Sequence, residues 1–310
     1  MSEYCLGIDL GGTTTKLGLF RKSGKLIEKW VIPTDSTDNG MHILLDITES
    51  INNKLDILGI NQKELAGVGI GIPGPVKGGI VTTCVNLGWV NRDVKAELNN
   101  LLKLPIEVGN DANVAALGEM WQGSGKGSHN LVMITLGTGV GSGIVIDEKI
   151  VSGFFGAAGE IGHMPILHEE TTYCACGKQG CLEQVSSATG IVNEMKKKLE
   201  CTSNLSVLKN IDSLTAKDIF DAARSGDIMA SQVIENAGYW LGTALASITS
   251  VLDPDVYVIG GGLSNAGDFF VDKVSKYYRQ KVLHVCKKTM IKKAELGNDA
   301  GIYGAARMVL

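Results

Sequence analysis

One pattern occurs twice in this chain, about 125 residues apart: an apolar run, a turn of glycine and threonine, and a second apolar run. The first copy is Cys5-Leu6-Gly7-Ile8-Asp9-Leu10, the tip Gly11-Gly12-Thr13-Thr14-Thr15, and the return Lys16-Leu17-Gly18-Leu19-Phe20. The second enters over 130–136, turns through Gly137-Thr138-Gly139-Val140-Gly141-Ser142-Gly143 and returns over 144–146. A third run, Val256-Tyr257-Val258-Ile259, ends on Gly260-Gly261-Gly262. Short apolar runs bounded by glycine read as buried strands, and further short strands are expected at 68–72 and 106–108. Helical spacing of apolar residues falls over 41–58, 114–121, 186–200, 215–225, 237–252 and from about 299, while the polar stretch 201–214 reads as a loop. Strands alternating with helices define an α/β fold with mainly buried sheets. The repeated hairpin suggests two related halves, and 310 residues suit two domains or one bilobal body.

The turns also constrain chemistry. Glycine lets backbone N–H groups approach phosphate oxygens, and threonine hydroxyls add donors. A single loop of this kind is also an ordinary tight turn; two Gly/Thr hairpins and a triple glycine are harder to dismiss. Asp9 at the first entrance is placed to hold Mg²⁺ through water, and Lys16 stands at the exit. The spacing is not that of a P-loop, because no Gly-Lys-Ser/Thr follows four residues after a glycine.

His163, Cys174, Cys176 and Cys181 are a second constellation. Imidazole and thiolate are the ligands that tetrahedral zinc prefers, and a closed set of four belongs to structural rather than catalytic sites. The alternative is unpaired cysteines beside a surface histidine, but three of the seven cysteines crowd between 174 and 181, interleaved with turn-forming glycines. Two carboxylates, Glu160 and Glu183, flank the set. The phosphate loops lie elsewhere in the sequence, so loss of zinc is expected to disturb what those carboxylates hold before it disturbs the phosphate loops.

Asp111 is the candidate base. It lies between a strand and a helix in Asn110-Asp111-Ala112-Asn113, where it is either a proton acceptor for a hydroxyl attacking a phosphoryl group or the N-cap of the helix. A net charge of −4 offers no footprint for nucleic acid or an anionic membrane. No apolar run approaches the roughly 18 residues that span a bilayer, and no signal peptide is apparent. Scattered cysteines outside the cluster argue against a disulfide framework and for a reducing cytoplasm.

With these residues in view, the chain resembles the ROK family of bacterial sugar kinases and repressors over nearly its full length, and within it the Gram-positive glucokinase branch. Asp9 to Thr13 with Lys16 is similar to the family's first phosphate motif, Leu136 to Gly141 to its second, and Ile259 to Leu263 to its adenosine motif. Glu160-Ile161-Gly162-His163 and the Cys174–Glu183 segment are similar to its signature and zinc motifs. Gly71-Ile72-Pro73-Gly74-Pro75, Asn86-Leu87-Gly88-Trp89 and the segment from Asn110 to Glu119 resemble the glucokinase branch.

The resemblance implies an actin-like (ribonuclease H-like) ATPase fold of two lobes, with ATP and sugar in the cleft between them. Residues 1–109 with about 299–310 would form one lobe, holding the first phosphate hairpin. Residues 110–298 would form the other, holding the second hairpin, the zinc motif and the adenosine loop. It implies ATP with Mg²⁺ at Asp9, Gly11, Gly12, Thr13, Lys16, Gly137, Thr138, Gly139, Gly261 and Gly262, and structural Zn²⁺ on His163, Cys174, Cys176 and Cys181. It implies Asp111 as the base that activates the sugar 6-hydroxyl, with Gly74, Asn86, Asn110, Glu160, His163 and Glu183 around the sugar. A cytoplasmic homodimer follows from the same resemblance. A sugar-sensing regulator of the family needs a DNA-reading helix-turn-helix, and only eight residues precede Asp9, so the kinase reading is preferred. Glucose is favoured over another hexose or an N-acetylhexosamine on the glucokinase-like stretches alone.

Overall fold

A computed structural model describes residues 2–201 and 206–310. The expected loop 201–214 is therefore seen in part, as turns from 206 onward; residues 202–205 lie outside the described residues. By internal contacts the chain forms two compact units: Met1–Leu131 with Gly143–Gly159 and Glu295–Leu310, and Val132–Ser142 with Glu160–Ala294.

The first unit contains β1 (Tyr4–Leu10), β2 (Thr14–Arg21), β3 (Leu26–Pro33), β4 (Leu65–Ile72), β5 (Val76–Lys77), β6 (Ile80–Cys84), β7 (Trp89–Asp93) and β8 (Ile106–Asn110). Its main sheet has the order β3-β2-β1-β4-β8, and β5-β6-β7 form a separate small sheet. The first three strands of the main sheet run antiparallel as a meander, while β1, β4 and β8 are parallel. That arrangement brings the C-terminal ends of β1, β4 and β8, hence Asp9, Ile72 and Asn110, to one end of the sheet.

The two faces of this sheet are built differently, and the sequence alternation says why. Leu6, Ile8 and Leu10 of β1 and Val68, Ile70 and Ile72 of β4 share one fully buried cluster with Ile47 and Ile51 of the helix Ile43–Leu58 and Leu98 of the helix Val94–Leu102. The intervening positions are Gly7, Gly67, Gly69 and Gly71. On that face the C-terminal helix Ala300–Arg307 lies almost on the sheet backbone: a Cβ at Gly69 would stand 1.8 Å from the Ala305 carbonyl oxygen. The same helix meets Asp111–Gln122 equally closely, for a Cβ at Gly304 would be 1.7 Å from the Val114 oxygen. Phe20, Trp121 and Tyr303 close the edge of this layer with tilted ring contacts.

This packing corrects the lobe boundary expected at residue 109. The helix Asp111–Gln122 belongs with the first unit, as do 143–159 and 295–298. The cause is the glycine-mediated contact of that helix with the C-terminal helix, which apolar spacing does not encode.

The second unit holds most of β9 (Leu131–Leu136), the start of β10 (Val140–Ile146), then β12 (Val256–Gly260) and β13 (Met290–Lys293); the end of β10 pairs with β11 (Lys149–Ile150) in residues of the first unit. Its sheet runs β10-β9-β12-β13, and the three-residue link Gly137-Thr138-Gly139 makes β9 and β10 the second hairpin. The helix expected over 237–252 begins earlier, at Ile228, where Asp227 accepts a hydrogen bond from the Ala230 N–H at 2.9 Å. The helix Asp268–Lys281 escaped the sequence reading, since it starts after Gly267 with no side-chain cap. Among the described residues no helix is long and apolar enough to cross a membrane.

Gly304→Ala should lower the stability of the chain by about 2 kcal/mol or more, because overpacking here meets backbone rather than a yielding side chain. A urea unfolding midpoint equal to that of the wild type would show that the two helices are not in such contact.

Candidate active site

In the first unit, the candidate base and the first phosphate hairpin stand at the same end of the sheet. The hairpin tip is closed by the Gly11 N–H donating to the Thr14 oxygen at 3.0 Å. Lys16 Nζ lies 3.3 Å from Asp9 Oδ2 and donates to the Asn298 oxygen at 2.9 Å. Asp9 itself lies against Gly301, where a Cβ would be 2.7 Å from its carboxyl carbon. Thr13 is exposed at the tip, and a Cβ at Gly12 would find only Asn86 Cβ, at 3.6 Å. Asn86 is exposed on the helical turn Val85–Leu87.

Asp111 is the first residue of its helix, and its neighbour Asn110 is the N-cap. The Asn110 side-chain oxygen accepts from the Ala112 and Asn113 N–H groups at 3.1 and 3.2 Å. Its amide nitrogen donates to the Gly74 oxygen at 3.2 Å and to Asp111 Oδ1 at 2.9 Å. The capping alternative for Asp111 is thus taken by Asn110, whose two donors and two acceptor sites are all engaged within the chain. The Ala112 N–H also falls on Asp111 Oδ1, at 2.8 Å, so among the described residues Oδ2 is the oxygen available to take a proton. Burial raises the Asp111 carboxyl above the ordinary aspartate range and the Asp9 charge adds to this, against the Ala112 and Asn110 hydrogen bonds. A raised carboxyl is a stronger proton acceptor once ionised.

Gly74 holds φ at 100°, and a Cβ there would strike the Thr83 oxygen at 2.4 Å, so glycine fixes the loop whose carbonyl receives Asn110. A cavity of about 220 Å³ opens beside these residues, with Lys77, Asn110, Asn113, Ser152 and Gly156 in its walls. Lys77 Nζ stands 4.1 Å from the centroid of the exposed Phe154 ring at its rim. Glu119 went unassigned in the sequence reading. It is fully buried and accepts from the backbone N–H groups of Ser124, Glu295 and Leu296 at 3.0, 3.2 and 2.8 Å, tying the end of the Asp111 helix to the approach of the C-terminal helix.

The second unit brings together the second hairpin, the adenosine turn and the His/Cys cluster. Gly137 and Gly139 close the hairpin tip at 3.0 Å, with Thr138 exposed between them, and the Ala188 N–H at the start of the helix Ala188–Cys201 donates to the Gly137 oxygen at 2.8 Å. A Cβ at Gly261 would meet the Leu136 oxygen at 2.5 Å, so the triple-glycine turn sits against the strand that feeds the hairpin; Gly262 faces open space. Glu160 is exposed at the head of the short turn Ile161–His163. Glu183 accepts the Val140 N–H at 2.8 Å through Oε2. That contact corrects the expectation that the zinc-flanking carboxylates and the phosphate loops are separate, and the 43 residues between the partners hid it from the sequence.

The ligand atoms of His163, Cys174, Cys176 and Cys181 lie within 4.8 Å of one another. Cys176 Sγ and Cys181 Sγ are 3.6 Å apart, and Cys174 Sγ is 3.7 Å from His163 Nδ1. Zinc bond lengths at tetrahedral angles require about 3.8 Å between two sulfurs and about 3.6 Å between sulfur and nitrogen. The four donors therefore fit one tetrahedral zinc. The Lys178 backbone N–H lowers the Cys176 thiol, while burial pushes Cys181 up to about 12; a divalent cation between them favours the thiolate form of all three.

The family model described as ROK family matches residues 5–310, and the chain belongs to the ROK family. It is 40% identical to a glucokinase of Halalkalibacterium halodurans, over 99% of this chain and 95% of that one. Its identity to a glucokinase of Streptomyces coelicolor is 34%, over 97% and 96% of the two chains. Among solved structures, a ROK family glucokinase from Streptomyces griseus in complex with glucose and AMPPNP superposes with a TM-score of 0.75 at 32% identity, covering 98% of each chain. The fold is accordingly the actin-like ATPase fold of the ROK sugar kinases.

The raised Asp111 carboxyl has a consequence for stability. The native state holds this proton at pH values where the unfolded chain has released it, so stability falls as pH rises through that window and stays lowered above it. Asp111→Asn keeps an oxygen for the Ala112 N–H and removes the buried charge. It should therefore melt higher than the wild type at neutral and alkaline pH, by a margin that narrows as pH is lowered through the raised native value toward the ordinary aspartate range. A variant that melts lower at the alkaline end would show that burial does not oppose this charge.

Proposed function

We propose that this protein transfers the γ-phosphoryl group of ATP to the 6-hydroxyl of glucose, giving glucose 6-phosphate and ADP. The observation that carries the reading is Asp111: a half-buried carboxylate of raised proton affinity, oriented through Oδ1 by Asn110 and Ala112, at the sheet end that also bears the first phosphate hairpin. Membership of the ROK family and similarity to a glucokinase that binds glucose and AMPPNP support it. Asp111 takes the 6-hydroxyl proton as that oxygen attacks the γ-phosphorus. The bond from the γ-phosphorus to the bridging oxygen breaks, and ADP leaves with the electron pair.

In this reading Asp9 holds Mg²⁺ through water, and Gly11, Gly12, Thr13, Lys16, Gly137, Thr138 and Gly139 receive the phosphates. Gly261 and Gly262 face the adenosine. Gly74, Asn86, Glu160, His163 and Glu183 surround the sugar. Asn110 acts there first by fixing the Gly74 carbonyl and the Asp111 carboxylate, since its own hydrogen bonds are committed. Zinc on His163, Cys174, Cys176 and Cys181 serves the fold, and fixes the imidazole ring by ligation. A cytoplasmic homodimer completes the proposal; light scattering on the purified protein tests the dimer.

Asp111→Asn should bind glucose with nearly wild-type affinity and lose about 10²–10⁴-fold in turnover. Coupled-assay rates beside calorimetric glucose affinities check this, and near-normal turnover would remove Asp111 as the base. A panel of glucose, mannose, fructose, allose, N-acetylglucosamine and N-acetylmannosamine, read by ADP release, should give glucose the highest kcat/KM. Preference for an acetylated sugar would move the substrate assignment within the family.

Elemental analysis should find one zinc per chain, and a chelator should lower the melting temperature, as expected when metal ligation contributes to folding. A metal-free preparation melting with the zinc-containing one would show that the cluster does not bind metal structurally.

A further inference from the structure

We infer that Glu183 is a positioning residue for the second phosphate hairpin as well as a sugar-pocket carboxylate, so that one side chain couples the sugar and nucleotide sites. The inference deepens the glucose kinase reading and rests on it. Three observations carry it. Glu183 Oε2 accepts the Val140 N–H at 2.8 Å, at the exit of the hairpin. Gly139, at the tip, comes so close to the same oxygen that a Cβ there would be 2.2 Å from it. Gly162, beside His163, approaches the carbonyl of the same residue, in the following peptide group: its Cβ would lie 2.2 Å from the Val140 oxygen. The hairpin exit is thus held on its N–H side by Glu183 and on its carbonyl side by the turn that carries Glu160 and His163. The second carboxylate oxygen, Oε1, is 3.6 Å from Cys174 Sγ, which ties the same side chain to the His/Cys cluster.

A carboxylate held through Oε2 by a backbone N–H has a narrowed choice of orientations. Sugar hydroxyls bonding to Glu183 favour the orientation in which Oε2 keeps the Val140 N–H, and that orientation holds the Gly139 peptide at the phosphate-facing tip. The coupling runs equally in reverse: a phosphate seated on the hairpin fixes Gly139, and so the carboxylate that meets the sugar. Binding free energies coupled in this way are reciprocal.

Gly139→Ala tests this, because the new methyl group displaces Glu183 while leaving every other proposed sugar residue untouched. Calorimetry without nucleotide should show glucose affinity weakened by about 10–100-fold, the range for residues that orient a ligand-binding group. Gly137→Ala alters the same tip where a Cβ meets nothing within 4 Å, and should leave glucose affinity unchanged. In a Glu183→Ala background, Gly139→Ala should cause no further loss of glucose affinity. A second pair avoids the glycine altogether: Glu183→Gln keeps an acceptor for the Val140 N–H and should retain AMPPNP affinity, whereas Glu183→Ala should lose it. Zinc content measured on every variant keeps metal loss separate from the effect. Gly139→Ala with unchanged glucose affinity, losses that simply add in the double variant, or equal AMPPNP affinity in the two Glu183 variants would each overturn the coupling. A wild-type protein that binds no hexose would overturn the functional reading itself, and the coupling with it.

Discussion

The first unit of this protein depends on a sheet with one face of large side chains and one face of almost none. In β4 the sequence Gly67-Val68-Gly69-Ile70-Gly71-Ile72 gives every second position to glycine, and β1 does the same around Gly7. The period of two in a strand sends the apolar side chains into the core and leaves bare backbone on the other side. Only a bare face admits the helix Ala300–Arg307 at backbone contact, and only that depth lets the same helix grip Asp111–Gln122 through Gly304 and Gly118. Asp9, pressed against Gly301, and Asp111, at the head of the gripped helix, owe their placement to this packing. Glu119 fastens it from behind by taking three backbone N–H groups into a fully buried carboxylate. Such a carboxylate is tolerable only because its hydrogen-bond capacity is met so fully.

The environment of the proposed base, Asp111, emerges from the same arrangement. A helix needs an N-cap, and Asn110 supplies it with its oxygen; its nitrogen is then free to reach Gly74 and Asp111. One amide therefore performs two tasks. It satisfies the first turn of the helix and it turns the Asp111 carboxylate so that both local hydrogen bonds fall on Oδ1. A carboxylate half satisfied in this way, and otherwise desolvated, keeps a raised affinity for a proton on the remaining oxygen. Had Asp111 been the cap itself, its oxygens would have been committed to the helix N–H groups and its proton affinity lowered.

Much of this was legible in the sequence, and the exceptions have a common cause. The two hairpins, the triple-glycine turn, the His/Cys spacing and Asp111 are local signals, readable from a few adjacent residues. The small sheet β5-β6-β7 was missed because β5 is two residues long and the strands alternate buried with exposed only weakly. The attachment of residues 110–131 to the first unit was missed because small residues at a helix crossing carry no hydrophobic periodicity. The sequence reading weighed the cap only at Asp111, whereas Asn110, an equally good cap, takes that place. The Glu183–Val140 contact joins residues far apart in the chain, and nothing in either segment announces the other. Local chemistry was readable, and long-range pairing of backbone with side chain was not.

The segment from Glu160 to Ser187 shows why a metal-ligand cluster belongs where it is. Its regular structure is limited to one short 3-10 turn, a four-residue helix and two isolated bridges, Pro165 with Cys181 and Tyr173 with Gln179. Its side chains buried below a tenth of their surface are few, chiefly Ile161, Cys174, Cys181, Leu182 and Val185, too little apolar area to order a segment of this length. In the proposed zinc site, four ligands closing on one cation would supply that order from a few fixed points instead of a core. They also fix it beside the carboxylates: Glu160 begins the turn that ends in His163, and Glu183 follows Cys181 by two residues. A hydrophobic core would bury this segment, whereas a metal-ligand cluster would hold it in place while Glu160 stays exposed and Glu183 stays within reach of the hairpin.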